Sequence, residues 1–140
     1  MLAEAFAEQA GDGASVVNLL DQRVLKPDPR FFSYSLSRNA LWWATRTLAQ
    51  ALAPRVRVNS VIAGPVETEQ SALHYGDDAG VAAVGETIPM GRMATPADVG
   101  NAVAFLLSPL AGYITGSTLT VHGGGEKPAF LDAATAGNAV

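Results

Sequence analysis

DQRVLKPDPRFFSYSLSR, residues 21–38, lies between a predicted strand and a predicted helix. The apolar run before it, ASVVNLL (14–20), is typical of a parallel strand that is covered on both faces. Two prolines follow and delay helix formation, so the helix is expected to begin near Tyr34, with Ser33 as its N-cap. The stretch therefore connects the carboxyl end of a strand to the start of a helix.

Three side chains of this stretch are predicted to meet above the end of the strand. Tyr34 and Arg38 are four residues apart and share one helix face, and Asp21 ends the strand. A carboxyl, a phenol and a cation can therefore meet at the carboxyl end of a strand, which is where ligands of open α/β sheets bind. Each residue taken alone is more simply explained as a turn former or a helix-start aromatic.

The spacing of these residues resembles the catalytic motif of the short-chain dehydrogenase/reductase family. That family carries Ser, then Tyr thirteen positions later, then Lys four after the Tyr, and Asp21, Tyr34 and Arg38 occupy these positions here. Asp in the first position is similar to the pteridine reductase branch, whereas Arg in the last matches neither pattern. The resemblance implies an oxidoreductase that acts on a small carbonyl or pterin-type substrate with NADP or NAD as cofactor.

The resemblance assigns a role to each of the three residues. Tyr34 is expected to donate the proton, and Tyr34 and Arg38 are expected to contact the nicotinamide end of the cofactor. A free tyrosine has a pKa of about 10, so it needs a nearby cation to act near neutral pH. Arg38 supplies the charge but cannot join a proton relay. Asp21 could hold or protonate a substrate nitrogen, or it could pair with Arg38.

A second strand, VRVNSVIA (56–63), leads into a turn that resembles the family's other cofactor-contacting segment. The family has a Pro-Gly turn here, and Ala63 replaces the Pro. The positions that match the cofactor-contacting pattern are Gly64, Pro65, Val66 and Thr68. A plain strand-to-loop turn is the alternative explanation.

The rest of the chain follows the same resemblance. The segment 69–94 corresponds to the family's substrate cover, where His74 and Tyr75 are explained either as substrate-facing residues or, more simply, as surface residues. A last helix over 96–107 precedes a final strand over 117–125. We therefore expect one Rossmann-like unit over 1–125 and a loose tail over 126–140.

The predicted fold is α/β, a partial Rossmann-like, doubly wound parallel sheet of about three strands with flanking helices. The strands near 14–20, 56–62 and 117–122 are expected to be neighbours in that order. No glycine-rich turn connects a strand to a helix, so the resemblance covers only the family's second half. The sequence predicts a truncated chain that is inactive alone; the alternative is a non-catalytic remnant that acts as a dimerising or partner-binding module.

The helix predicted over 34–52 is apolar around much of its circumference. One side is expected to consist of Leu36, Ala40, Trp43, Thr47 and Ala51. Such a helix is usually buried on more than one side, and in the family it helps to form a subunit interface. We therefore expect a homo-oligomer through helix 34–52.

Composition excludes several other classes of function. The 140 residues carry a net charge of −4 without a basic block, so nucleic-acid binding has no electrostatic support. Cysteine is absent, and the two histidines are not spaced as ligands, so no metal site is expected. No apolar run is long enough to cross a membrane, and the first residues do not resemble a signal peptide. A cytoplasmic protein is expected.

Overall fold

In the computed structural model, which describes residues 2–125, helices and strands alternate along the chain. The helices are α1 (Leu2–Gln9), α2 (Phe32–Leu52), α3 (Glu69–Tyr75), α4 (Asp78–Glu86) and α5 (Pro96–Leu107). The strands are β1 (Ala14–Asp21), β2 (Val56–Ala63) and β3 (Thr118–Val121). The tail expected over 126–140 lies outside the described residues.

The three strands form a parallel sheet in the order β1-β2-β3, which confirms the predicted fold class and strand order. β1 pairs with β2 from Ala14 opposite Val56 to Asp21 opposite Ala63. The strand expected over 117–125 ends at Val121, because the glycines at 123–125 adopt positive φ angles that do not continue a strand. The sheet therefore brings the carboxyl ends of all three strands to one edge.

Helices cover both faces of this sheet. On one face Asn18 of β1 donates a hydrogen bond to Thr45 of α2, at 2.9 Å. On the other face Ser15 of β1 and Arg57 of β2 donate to the carbonyl of Leu106 in α5, at 3.3 and 2.7 Å. The alternation of side chains along the strands thus separates α2 from α5, as the doubly wound arrangement requires.

Burial is concentrated in β2, whose apolar residues from Val56 to Ile62 are almost fully inaccessible. β1 is contacted by α2 on one face and by α5 on the other, as predicted, but it is covered less completely than β2, since most of its residues are half-buried, Leu20 alone is buried and Leu19 is 53% exposed. β1 pairs only with β2 among the described strands, so it lies at an edge of the described sheet. An apolar run predicts a strand, but its position in the sheet decides how deeply it is buried.

Helix α2 packs against the sheet through small residues. Thr45 and Ala49 are buried, and Ala49 packs with Val56 and Val58 of β2. The residues predicted to line one apolar side of the helix are exposed: Leu36, Ala40, Trp43, Thr47 and Ala51. Among the described residues, therefore, nothing covers this apolar side of α2.

The start of α2 also differs from the prediction. A short 3-10 turn, Pro29–Phe31, is capped by the Asp28 side chain and runs directly into α2. The helix consequently begins at Phe32, and Ser33 lies inside its first turn rather than at the N-cap. The polar residue that favours this helix start is therefore Asp28, whose carboxylate accepts a hydrogen bond from the backbone N–H of Arg30 at 3.0 Å.

The described residues divide into two compact units, 2–63 with 97–121 and 64–96 with 122–125. The first contains the sheet with α1, α2 and nearly all of α5. The second contains α3, α4 and an isolated parallel bridge between Val66 and Ala94. No helix among residues 2–125 is long and apolar enough to cross a membrane.

Candidate active site

Asp21 is held in place by the chain that follows β1. It ends the strand and caps a 3-10 turn, Gln22–Val24. Its Oδ1 accepts a hydrogen bond from the backbone N–H of Arg23 at 2.8 Å, and the guanidinium of Arg23 forms an ion pair with Oδ2 at 3.2 Å. The carboxylate is therefore fixed at the carboxyl end of β1, beyond the sheet.

The predicted contact between Asp21 and Tyr34 is present. The Tyr34 hydroxyl donates a hydrogen bond to Asp21 Oδ2 at 3.2 Å. Tyr34 lies in the first turn of α2. Tyr34 is 37% exposed, so its phenol remains accessible from solvent. The spacing of thirteen residues thus brings a strand end and a helix start together.

Arg38 lies one helical turn after Tyr34, with its guanidinium carbon 5.0 Å from the centre of the Tyr34 ring. Its Nε is buried and has no hydrogen-bond partner among the described residues. The alternative pairing of Asp21 with Arg38 is not adopted in this part of the chain, since Asp21 forms its ion pair with Arg23. We call Asp21, Tyr34 and Arg38 together the Tyr34 site.

The pKa of Tyr34 is raised above its usual value, first by burial and then by the negative charge of Asp21. The positive charge of Arg38 acts in the opposite direction but is outweighed. The expectation that the neighbouring Arg38 lowers the pKa of this phenol below its usual value is therefore not met in this structure. Tyr34 is protonated at neutral pH, which is the form that a proton donor requires.

The turn that follows β2 belongs to the second compact unit, where its backbone is tightly fixed. A Cβ at Gly64 would lie 2.8 Å from Cα and Cβ of His122, so the close approach requires glycine. The carbonyl of Pro65 accepts from the N–H of Ala94 at 3.0 Å, next to the bridge made by Val66. The contact with His122 explains the glycine at position 64 without a ligand, whereas the contacts of Pro65 and Val66 involve only the backbone.

Thr68 has a structural partner of its own. Its N–H donates to the hydroxyl of Ser71 at 2.8 Å, and its Oγ1 accepts from the N–H of Ser71 at 3.2 Å. The two residues thus close the first turn of α3 reciprocally, as in a capping box.

The rings of His74 and Tyr75 contact each other edge to face, with centroids 4.8 Å apart.

Sequence reasoning did not single out Arg23, although it binds Asp21 directly. The available signal was a cation two residues after an aspartate at a strand end.

Among residues 2–125 no group of three or more metal-ligating side chains exists that could hold a metal ion.

Comparison with known proteins gives consistent results. The family model described as enoyl-(acyl carrier protein) reductase matches residues 1–126. The chain is 38% identical over 110 residues to 3beta-hydroxysteroid dehydrogenase 1 of Eggerthella lenta, covering 78% of this chain and 42% of that protein. It is 39% identical over 113 residues to human dehydrogenase/reductase SDR family member 4, covering 80% and 41%.

A solved structure shows the same fold. It is the NADPH-bound short-chain oxidoreductase of Pseudomonas aeruginosa that contains an atypical catalytic centre. The two chains superpose with a TM-score of 0.75 at 32% identity, over 84% of this chain and 48% of the other. The chain thus spans less than half the length of these relatives.

Proposed function

The chain belongs to the short-chain dehydrogenase/reductase family, and on that premise we propose that the Tyr34 site is the proton-delivering part of an NAD(P)-dependent reductase. The observation that carries the proposal is the hydrogen bond from Tyr34 to Asp21 at the carboxyl end of β1. We further propose a pteridine reductase-like enzyme that acts on a small carbonyl or pterin, because an aspartate stands where the family usually has serine. A cytoplasmic location is part of this proposal.

Each residue of the site has a separate task. Tyr34 releases its phenolic proton to the carbonyl oxygen or imine nitrogen that is being reduced, while NAD(P)H when bound supplies the hydride to the adjacent carbon. Asp21 accepts from Tyr34 in the resting site, and the same carboxylate is proposed to hold or protonate a substrate nitrogen. Arg38 offers a buried Nε–H without a partner, which fits a hydroxyl acceptor such as a cofactor ribose.

The turn after β2 is proposed as a further set of cofactor contacts. Its members are Gly64, Pro65, Val66 and Thr68, and the assignment rests on the family motif that they match. Since structural contacts already explain Gly64 and Thr68, their backbone groups rather than their side chains are the proposed contacts for a nicotinamide.

By itself the 140-residue chain is expected to bind NADPH weakly and to show no reductase turnover. Most dinucleotide affinity in this architecture comes from a pyrophosphate at a helix N-terminus, and neither β1 nor β2 leads through a glycine-rich turn into a helix. Titration with NADPH, followed by the fluorescence of Trp42 and Trp43, should show no saturation in the micromolar range. Saturable binding together with Tyr34-dependent oxidation of NADPH by a pterin or quinone would contradict this expectation.

A second candidate function is assembly, because the outward side of α2 is apolar. Phe32, Leu36 and Trp43 lie along this side and are 74%, 62% and 71% exposed. Large apolar side chains so exposed along one helix typically mark an interaction surface. We propose that this surface pairs with a second copy of the chain, whether or not the site is active.

The assembly proposal predicts a dimer or larger oligomer that a charge on α2 dissociates. Trp43→Glu should lower the sedimentation coefficient to that of a monomer at micromolar concentration, since it places a charge inside the apolar contact. Leu110→Glu, at an exposed leucine away from α2, is the matched control and should leave the assembly intact. A wild-type chain that sediments as a folded monomer would rule out the proposed interface.

A further inference from the structure

Arg23 binds both oxygens of the Asp21 carboxylate. Its backbone N–H donates to Oδ1 at 2.8 Å, and its Nη1 lies 3.4 Å from Oδ1 and 3.2 Å from Oδ2. Oδ2 is also the atom that accepts the hydroxyl of Tyr34, at 3.2 Å. A guanidinium and a phenol therefore share one carboxylate oxygen.

The position of the Arg23 guanidinium is fixed from a second side. Its carbon lies 4.1 Å from the centre of the Phe31 ring, which is the distance of a cation–π contact. The Arg23 and Asp21 side chains are only 26% and 25% exposed, so solvent screens their ion pair less than a fully exposed one. A planar guanidinium held in this way keeps the carboxylate in one orientation.

We propose that Arg23 is a positioning residue of the Tyr34 site, which holds Asp21 against the Tyr34 hydroxyl and offsets the negative charge that this hydroxyl faces. The inference rests on the proposed function and adds one residue to it. When Tyr34 gives up its proton, a phenolate is left beside the Asp21 carboxylate, and two adjacent like charges disfavour each other. A cation on the shared oxygen reduces this repulsion.

The charged groups around Tyr34 determine how the role of Arg23 can be measured. Asp21 contacts the phenol from the end of β1, and Arg38 lies over its ring from α2. Asp21 and burial raise the pKa of Tyr34, and Arg38 lowers it. Arg23 contacts the carboxylate rather than the phenol, so its proposed effect on Tyr34 depends on Asp21. If Arg23 only formed an ordinary surface ion pair with the carboxylate that caps the 3-10 turn, its removal would leave the ionisation of Tyr34 unchanged.

The test is an NMR titration of the 140-residue chain with isotope-labelled tyrosine Cζ, in which Tyr34→Phe assigns the Tyr34 signal. Arg23→Met should raise the pKa of Tyr34, so that the phenolate fraction at a fixed alkaline pH falls about twofold or more. Arg23→Lys restores the charge and should return most of the wild-type titration. In the Asp21→Asn background, Arg23→Met should have a smaller effect, because the carboxylate that holds the guanidinium beside the phenol is gone.

Arg30 provides the matched control. Like Arg23, it pairs with an aspartate two residues earlier, Asp28. Its backbone N–H lies 3.0 Å from Asp28 Oδ1 and its Nη2 lies 2.8 Å from Oδ2. Its guanidinium carbon is 5.8 Å from the centre of the Phe31 ring. Arg30→Met removes an equal charge and should leave Tyr34 unchanged. Arg23→Gln gives the same comparison if Arg23→Met lowers stability.

Two results would overturn the inference. One is a pKa of Tyr34 in Arg23→Met and Arg23→Gln that equals the pKa measured in Arg30→Met. The other is an Arg23→Met effect that persists undiminished in the Asp21→Asn background, which would mean that Arg23 acts directly. Because neither cofactor nor substrate is present, failure of this inference is distinct from failure of the proposed function, which is measured by turnover.

Discussion

Tyr34→Phe is expected to lower NADPH oxidation about 10²–10⁴-fold in a fusion of this chain to a nucleotide-binding half of the same family. The fusion supplies the pyrophosphate site that anchors the hydride donor, and correct positioning contributes several kcal/mol to lowering the barrier. Phe keeps the ring that lies beneath Arg38 but has no proton to donate. The loss should therefore appear in kcat more than in KM, measured with a pterin or quinone as acceptor.

Tyr113→Phe is the control for this experiment, because the Tyr113 side chain is fully exposed and away from the Tyr34 site. Arg38→Lys should raise turnover in the fusion, where the added half anchors the cofactor, and is not expected to raise it in the 140-residue chain. Turnover in the fusion that survives Tyr34→Phe would refute the proton-donor role, whatever the affinity for NADPH.

Asn59→Ala is expected to cost about 3 kcal/mol of the free energy of unfolding, which is a large part of the total for a small domain. Asn59 lies in β2 and is fully buried. Its Nδ2 donates to the carbonyl of Ile114 at 2.8 Å, and its Oδ1 accepts from the N–H of Ser117 at 3.0 Å. Alanine would remove both hydrogen bonds at once and leave a space at a fully buried position of β2.

The effect of Asn59→Ala is measured by urea unfolding, with Asn101→Ala as the matched control on the exposed side of α5. The control should change the midpoint little, and alanine there is a better helix former. Equal midpoints for the two variants would show that the segment before β3 does not depend on Asn59. A large loss in Asn59→Ala alone would place this residue among the main determinants of the third strand.

Much of the fold followed from the sequence because its signals are local. The apolar run 14–20 and the β-branched run 56–63 predicted β1 and β2 to within one residue. Proline at the start of α5 fixes that helix boundary through backbone geometry, which requires no tertiary contact. The parallel order of the strands also followed, since strands joined by helices are usually neighbours.

The site was predictable for a similar reason. Helix geometry puts Tyr34 and Arg38 on one face, and the resemblance of the thirteen-residue spacing to the family motif placed Asp21 beside them. The sequence could not show whether Asp21 forms its ion pair with Arg23 or with Arg38, because both arginines were expected to lie close to Asp21. That choice depends on the 3-10 turn and on the Phe31 ring, which hold Arg23 against the carboxylate.

The sequence by itself determined the family motif, the order of the elements and the three residues of the Tyr34 site. Only the tertiary structure decided the inward side of α2, the exposure of β1 and the raised pKa of Tyr34. The physical reason is that the burial of a side chain and the charges around it depend on neighbours that are distant in the sequence. A hydrophobic pattern shows that α2 has apolar sides, but only the packing shows that Thr45 and Ala49 are its buried residues.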